Sequence, residues 1–452
     1  MTRSVAFTSL IFISAAATAA AAAAAWPQWL GPQRDAVWRE NGIVKTFPKG
    51  GLKPLWRTPV RPGYSGPAVA DGRVFLMDRR LAEGARNPDN IFKRGNIPGD
   101  ERILCLDAGN GTILWEKSYT ADYTVSYPKG PRATPTVDGE RVYTLGAEGH
   151  LHCLNVKDGS TVWSRIFSED YGARTPTWGH AAHPLIDGDK LICLVGGEGS
   201  AVVAFHKETG KELWRALTSK DIGYCPPVIY EAAGERQLII WHTQAVVALN
   251  PDTGKVLWEH PWDVRGGGSI TIPRKLDDHL FLGTFFNGSL MLKLNSTRPG
   301  VEKLWQSPKI TTKDTIYLHS LNCTPWLGDG LIYGVCNYGQ FRCLRVEDGQ
   351  RLWESLKPVG LEKPRRNANA FIIRHEDRFF ICSDNGDLAI AKLSAEGYVE
   401  IDRAKLIEPT DAEGGRPIVW SHPAFANRSV YARNDKEIVC VSLAVGDPRP
   451  GQ

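Results

Sequence analysis

The chain has 452 residues, 42% of them hydrophobic and 23% charged, with a formal net charge of +4. Its basic residues are dispersed among acids, which excludes the clustered charge that binds nucleic acid or an anionic membrane surface. A chain of this length often divides into two or three domains, yet no linker interrupts it.

The first 25 residues carry Arg3, an apolar run from Val5 to Ala17 and an alanine tract with several A-x-A sites before Trp26. That is the layout of a secretory signal peptide, with the mature chain expected to start near Ala25 or Trp26. An uncleaved anchor is the weaker reading, because alanine is weakly apolar and the strongly apolar part is short for a span. The first cysteine is Cys105, so no lipid is expected at a cysteine following the signal. The product is expected to be a soluble monomer, periplasmic or secreted, without a membrane span after cleavage. Residues 26–452 form one domain, opening with an N-terminal extension over 26–51. Its WPQWLGPQRDAVW (26–38) is expected to lie across the body of the protein and bury Trp26 and Trp29, or else to dock on a partner.

LKPLWRTPV (52–60) reads as a lone strand, and after it a unit recurs. LDAGNGTILW (106–115), LNVKDGSTVW (154–163), FHKETGKELW (205–214), LNPDTGKVLW (249–258) and LRVEDGQRLW (344–353) are hairpins, and LNSTRPGVEKLW (294–305) is a looser copy. In each, a glycine supplies the positive φ of a tight turn and an apolar strand resumes beside tryptophan. The tryptophans stand at 56, 115, 163, 214, 258, 305 and 353. Upstream, a proline recurs seven residues before an apolar pair, as in Pro135 to Val142 and Pro423 to Val430. A second turn, such as Asn287-Gly288 or Asn385-Gly386, then links two alternating apolar runs. Each repeat therefore holds four short antiparallel strands, and a four-stranded unit of this length is a propeller blade, since a lone sheet buries its faces only against neighbours. Eight positions fill the tryptophan register if Ile401 stands in for one. The last repeat, from Ser421, supplies three strands and the 52–60 strand the fourth. The sequence thus predicts an all-β, eight-bladed propeller, closed by the N-terminal strand in the C-terminal blade, which removes an open sheet edge.

Residues 79–100 are the main insertion, a polar stretch replacing a tight hairpin between the second and third strands of the first blade. Surface tolerance and partner contact are its two readings. Of the nine cysteines, Cys105, Cys153, Cys343 and Cys440 fall at one equivalent place in third strands. They read as small buried apolar residues rather than a disulfide framework, with Cys336 and Cys343 the pair that a hairpin could join.

These turn-Gly-x-x-x-Trp hairpins, spread over the chain after residue 50, resemble the pyrroloquinoline quinone (PQQ)-type propellers. The resemblance implies that Trp56, Trp115, Trp163, Trp214, Trp258, Trp305 and Trp353 dock adjacent blades. It also implies that the loops entering the first strands gather at one mouth of the central channel. There TPTWGHAAHP (175–184), YLHSLNCTP (317–325) and VWSHP (419–423) would bring together Trp178, His180, His183, His319, Asn322, Trp420 and His422, with Arg132 and Tyr224 from intervening blades. Such a ring suits a planar or sugar-like ligand, stacked on tryptophan and hydrogen-bonded to histidine and asparagine; packing and capping are the plainer roles for the same residues.

The family has two occupations. Its quinoprotein dehydrogenases hold PQQ and Ca²⁺ with an adjacent-cysteine disulfide and a catalytic Asp, and this chain has neither an adjacent cysteine pair nor a C-x-x-C-H haem site. Its BamB-type members are assembly lipoproteins, whose lipid this chain lacks. The expected function is a non-catalytic binding or assembly scaffold that engages a protein partner or a small polar or planar ligand at the mouth. A PQQ-dependent alcohol or sugar oxidoreductase with a degenerate site is one alternative, and a carbohydrate-binding propeller is another. No catalytic residue is assigned. No metal site is expected either, because His180 and His183 sit on an extended loop with no common face and no third ligand nearby. No G-x-S-x-G elbow is present, and GGEGSA (196–201) has no following helix to form a phosphate loop.

Overall fold

The computed structural model describes residues 24–308, 316–413 and 415–447. The expected signal peptide lies outside them apart from Ala24 and Ala25.

Eight four-stranded antiparallel sheets follow one another around a central channel. Blades I to VII span residues 68–120, 136–166, 185–216, 228–261, 274–306, 326–355 and 370–405. Blade VIII takes three strands from 424–442 and its fourth from strand β1 (Pro54–Pro59), which pairs antiparallel with Glu437–Ser442. The ring is therefore closed by its two chain ends, as the unequal end repeats predict. A small hairpin, Asp411–Glu413 with Arg416–Ile418, is added between blades VII and VIII.

The repeated motif has a packing reason. Each third-to-fourth strand ladder skips the residue before the tryptophan, as between Ala204 and Phe205 opposite Trp214. This bulge turns the indole toward the next blade. There Trp56, Trp115, Trp163, Trp214 and Trp305 lie on Gly111, Gly159, Gly210, Gly254 and Gly349, where an added Cβ would come within 2.5–2.9 Å of the ring. The same indoles donate to the carbonyl three residues before each glycine, Ala108, Val156, Lys207, Pro251 and Val346. The turn glycine is needed twice: for its left-handed φ, +67° at Gly210, and for the flat seat it offers. Burying such an indole contributes about 3–5 kcal/mol relative to alanine. Trp353 keeps the bond, to Ser394 O at 2.8 Å, without a glycine seat, since nothing lies within 4 Å of a Cβ at Gly397. Trp258 lacks both. Facing the looser turn of blade V, it donates to Gln237 Oε1 of its own blade at 2.7 Å.

One register assignment is corrected. In blade VII the skipped residue is Ile401, so Asp402, opposite Ile390, holds the tryptophan position. Its carboxylate accepts from Phe47 N at 2.6 Å. The seam between blades VII and VIII, where no third-to-fourth strand turn exists, is thus sealed by the N-terminal extension.

That extension lies in the channel as a loop whose two ends meet the same turn of blade VIII, Asn427 N donating to Ala24 O and Arg428 N to Glu40. Trp26 pairs with Val69 of blade I, Arg34 donates to the carbonyls of His183 and Pro184, Arg274 of blade V donates to Arg34 O and Asp35 O, and Val37 bridges Arg374 of blade VII. Trp26, Trp29 and Trp38 are all buried. The core is accordingly a series of layers between blades, such as Phe75, Met77 and Cys105 against Val137 and Leu154, joined by a larger cluster around the extension.

All nine cysteines are buried thiols. Cys105, Cys153, Cys343 and Cys440 each stand opposite a tryptophan. Cys336 and Cys343 do not pair, because Cys343 is in register with Tyr333. Within the 79–100 stretch, residues 79–81 and 99–100 extend the blade I ladder, with Arg79 opposite Glu101, which leaves 82–98 as the loop. Arg79 is buried over the Tyr123 ring and donates to Pro128 O and Ile97 O, so the longer hairpin is held by packing as well as by its ladder.

Candidate binding site at the channel mouth

Inside each blade the first strand is short and starts at a proline or its equivalent, so the residues just before it project toward the channel axis. The residue three positions before that proline is Tyr64, Arg132, Ala181, Tyr224, Ile270, Asn322 and Trp420 in blades I to VI and VIII. All seven line one cavity of about 250 Å³, to which blade VII adds Arg366 and Asn367. Seven blades thus build the mouth from one equivalent position each, and its chemistry is set by independent choices of side chain.

The aromatic rings form separate groups around the rim. Trp420 lies 5.9 Å from Tyr127 and 6.5 Å from Tyr64, Tyr127 meets Phe92 edge-on at 5.2 Å, and Trp178 sits 5.2 Å from Tyr224. Phe285 and Phe286 line the far side. Trp29 of the N-terminal extension forms the floor, stacked on His183 at 4.5 Å with 17° between the planes and edge-on to His422 at 5.4 Å.

Of the residues singled out in the sequence, Arg132, Trp178, His183, Tyr224, Asn322, Trp420 and His422 line this cavity. His180 and His319 do not. His180 is buried with its backbone N–H on Ala147 O and its ring edge-on to Phe167. His319 supports the wall from behind, its Nδ1 2.9 Å from Phe285 O. His180 and His183 thus face different surroundings, and among the described residues no group of three His, Cys, Asp or Glu side chains is placed to hold a metal ion.

Sequence reasoning missed Tyr64, Phe92, Tyr127, Phe285, Phe286, Arg366 and Asn367 as lining residues. The fixed offset before the first-strand proline would have found Tyr64 but not Asn367, because in blade VII Ile373 pairs with Phe380 as Ala68 does with Phe75, which puts Ile372 at the proline position. Phe92 reaches the mouth from the 82–98 loop, which is tied to the neighbouring loop by Tyr127 N to Ile91 O, Ser126 Oγ to Phe92 O and Arg94 Nε to Thr124 O. No periodic signal marks it.

The electrostatics are one-sided. Two cations, Arg132 and Arg366, line the cavity and, among the described residues, no carboxylate does. Arg132 lies 5.4 Å over the Tyr64 ring and Arg366 5.6 Å over Phe285. Burial pushes His422 down to about 3 and His183 well below its ordinary value, so both imidazoles are neutral. Thr134 N donates to His183 Nδ1 at 2.8 Å, which puts the ring proton on Nε2.

A family model described as "Outer membrane protein assembly factor BamB" matches residues 99–355. No curated protein matches the chain. Among solved structures, BamB from Moraxella catarrhalis aligns with a TM-score of 0.54 at 15% identity, covering 86% of this chain and 97% of that one. Quinohemoprotein alcohol dehydrogenase from Comamonas testosteroni aligns with a TM-score of 0.62 at 12% identity, covering 97% and 83%. A europium-containing methanol dehydrogenase gives 0.58 at 12% identity, covering 92% and 90%. At these identities the likeness is one of fold alone. The cavity's arginines and indoles suit a planar carboxylated ring such as the PQQ of the quinoprotein branch, but the Ca²⁺ that accompanies it is a hard cation whose oxygen ligands include carboxylates, and among the described residues none lines the wall. With eight four-stranded blades, interlocking tryptophans and a matching family model over more than half its length, the chain belongs to the BamB family of PQQ-like propellers.

Proposed function

We propose that this protein is an exported, non-catalytic propeller that binds a planar small molecule at its channel mouth. The observation that carries the reading is the cavity itself. All eight blades contribute side chains to a blind, aromatic recess of about 250 Å³ floored by Trp29. That recess is concave and mostly apolar with a few convergent polar groups, which is how small-molecule sites are built. Its size suits a ring system rather than a protein segment. Asn322 and Asn367 supply amide donors and acceptors on adjacent blades, and Trp178 and Trp420 supply stacking faces. A sugar ring would stack on the same indoles, but among the described residues no carboxylate lines the wall to accept from its hydroxyl groups.

The test is a titration of the mature chain with planar aromatic compounds, PQQ with and without Ca²⁺ among them, and with sugars. It is followed by tryptophan fluorescence and melting temperature, because a ligand bound to the folded state raises stability. Saturable quenching by planar compounds with a raised melting temperature supports the reading. Response to sugars alone transfers it to carbohydrate binding, and silence across the panel removes it in favour of a protein-docking scaffold.

A further inference from the structure

The alanine tract leaves the end of the signal segment open in sequence, because the run from Ala19 to Ala25 offers the A-x-A signal at several successive bonds. The fold discriminates among those bonds. Trp26 is 2% exposed, packs on Phe425 and joins Val69 of blade I in a two-way bridge, Trp26 N to Val69 O at 2.8 Å and Val69 N to Trp26 O at 2.9 Å. A chain starting at Trp26 would carry a charged ammonium in place of that amide, and a charge inside a buried contact is costly.

Ala24 has a partner of its own. Its carbonyl accepts from Asn427 N at 3.0 Å, in the turn between the first two strands of blade VIII. Asn427 and Arg428 both stand there at left-handed φ, +55° and +53°, whereas the corresponding turns of blades I, IV and VI place glycine second, at Gly72, Gly234 and Gly330. Two successive residues with a Cβ are disfavoured in that conformation, and their N–H groups lie outside the ladder, which ends at Ala426 opposite Ser429. The N-terminal extension supplies both acceptors. Ala24 O takes Asn427 N, and the Glu40 carboxylate takes Arg428 N at 2.9 Å together with Trp38 Nε1 at 2.9 Å. The glycine-free turn is therefore held from one side by the residue two before Trp26 and from the other by the residue two after Trp38.

We propose that the processing site of this chain is the bond between Ala23 and Ala24, so that the mature protein begins with the residue that caps the blade VIII turn. Ala21-x-Ala23 is the A-x-A signal for that cut. Ala24 then keeps its carbonyl on Asn427, and the new ammonium stands two residues clear of the Trp26 bridge. The step is hydrolysis of one peptide bond by a signal peptidase: a water is consumed, the Ala23 carboxylate leaves on the released segment and the ammonium stays on Ala24. This rests on the chain being exported.

The experiment expresses the full chain in an exporting bacterial host, fractionates the cells and weighs the product by intact-mass spectrometry, in which each alanine is a resolved step. The expected species is exported and begins at Ala24. In parallel, chains beginning at Ala24 and at Trp26, each released from a cleavable N-terminal fusion, are compared by amide hydrogen exchange and melting temperature. Asn427 N–H should exchange about fivefold faster in the chain that begins at Trp26, the scale of one hydrogen bond's net worth, and that chain should melt lower. An exported protein that begins at any other residue, or equal Asn427 exchange and melting in the two chains, overturns the inference while leaving export intact. A chain that keeps residues 1–23 also overturns it, and its retention in the cytosol overturns export as well. If the chain beginning at Trp26 does not fold, the intact mass decides.

Discussion

Replacing Gly210 by alanine isolates the device that holds the ring together. The backbone there has φ +67°, and an added Cβ would lie 2.6 Å from Trp163 Cδ2 and 2.7 Å from Cε3. Neither neighbour can withdraw easily, since the indole is fixed by its N–H on Lys207 O at 2.8 Å and Arg165 clamps Gly210 O at 2.8 Å. The left-handed backbone costs a non-glycine residue about 1–2 kcal/mol, and forcing a methyl group into a packed contact costs about 1–3 kcal/mol. Gly210→Ala should therefore destabilise the protein by about 2–5 kcal/mol. Gly188, in another hairpin turn of the same blade, has φ +58° and open space where its Cβ would be, so Gly188→Ala should cost only the backbone share. Once Trp163 is also replaced by alanine, the contact is gone and adding Gly210→Ala should cost about 1–2 kcal/mol more. Guanidinium unfolding followed by far-ultraviolet circular dichroism gives each value. Equal costs for Gly210→Ala and Gly188→Ala would refute the argument that the glycine is a seat.

Three further outcomes follow from the same geometry. Gly300→Ala, in the looser turn where φ is not left-handed and the Cβ meets only the flexible Asn295 side chain, should change stability by no more than about 0.5 kcal/mol. Acid should destabilise the protein well above the carboxylate range: burial holds His180 and His422 down to about 3 and His152 down to about 4, whereas the unfolded chain protonates them near 6.5. Below that value the unfolded state binds more protons, so stability is complete above about pH 6.5 and falls with pH by about 1.4 kcal/mol per unit for each histidine. His180→Gln should remove one such share from the slope of urea stability against pH between 6 and 4.5, and a flat profile would contradict it. Finally, none of the nine thiols should react with a thiol reagent in the native protein, since all are buried and burial raises Cys105, Cys153, Cys323 and Cys343 to about 12; all nine should react in denaturant, and a shortfall would mean a disulfide.

Most of the fold was legible because each blade writes its own boundaries. Turn glycine, tryptophan and first-strand proline recur at offsets that a four-stranded sheet enforces, and the two incomplete repeats specify the closure. The misassignment of Ile401 came where that grammar changes, since blade VII ends in a different turn and Asp402 receives Phe47 N instead of seating an indole. The mouth was legible in part for a related reason. Histidines and tryptophans near the first-strand prolines attract notice, yet the position three before the proline is the one that recurs in the cavity wall, so His180 and His319 turned into the walls while Tyr64 passed unremarked. Phe92 and Arg34 were beyond reach, because one arrives on an aperiodic loop and the other on a segment whose path through the channel is set by tertiary contacts alone.

The central claim is that a small planar ligand occupies the mouth, and native mass spectrometry of the protein purified from its own host tests it most directly. One small-molecule adduct per chain, lost on collisional activation and absent from Trp178→Ala and Trp420→Ala variants that retain the wild-type fold, is the predicted spectrum. A bare chain mass in the wild type, or an adduct that survives both substitutions, would contradict it.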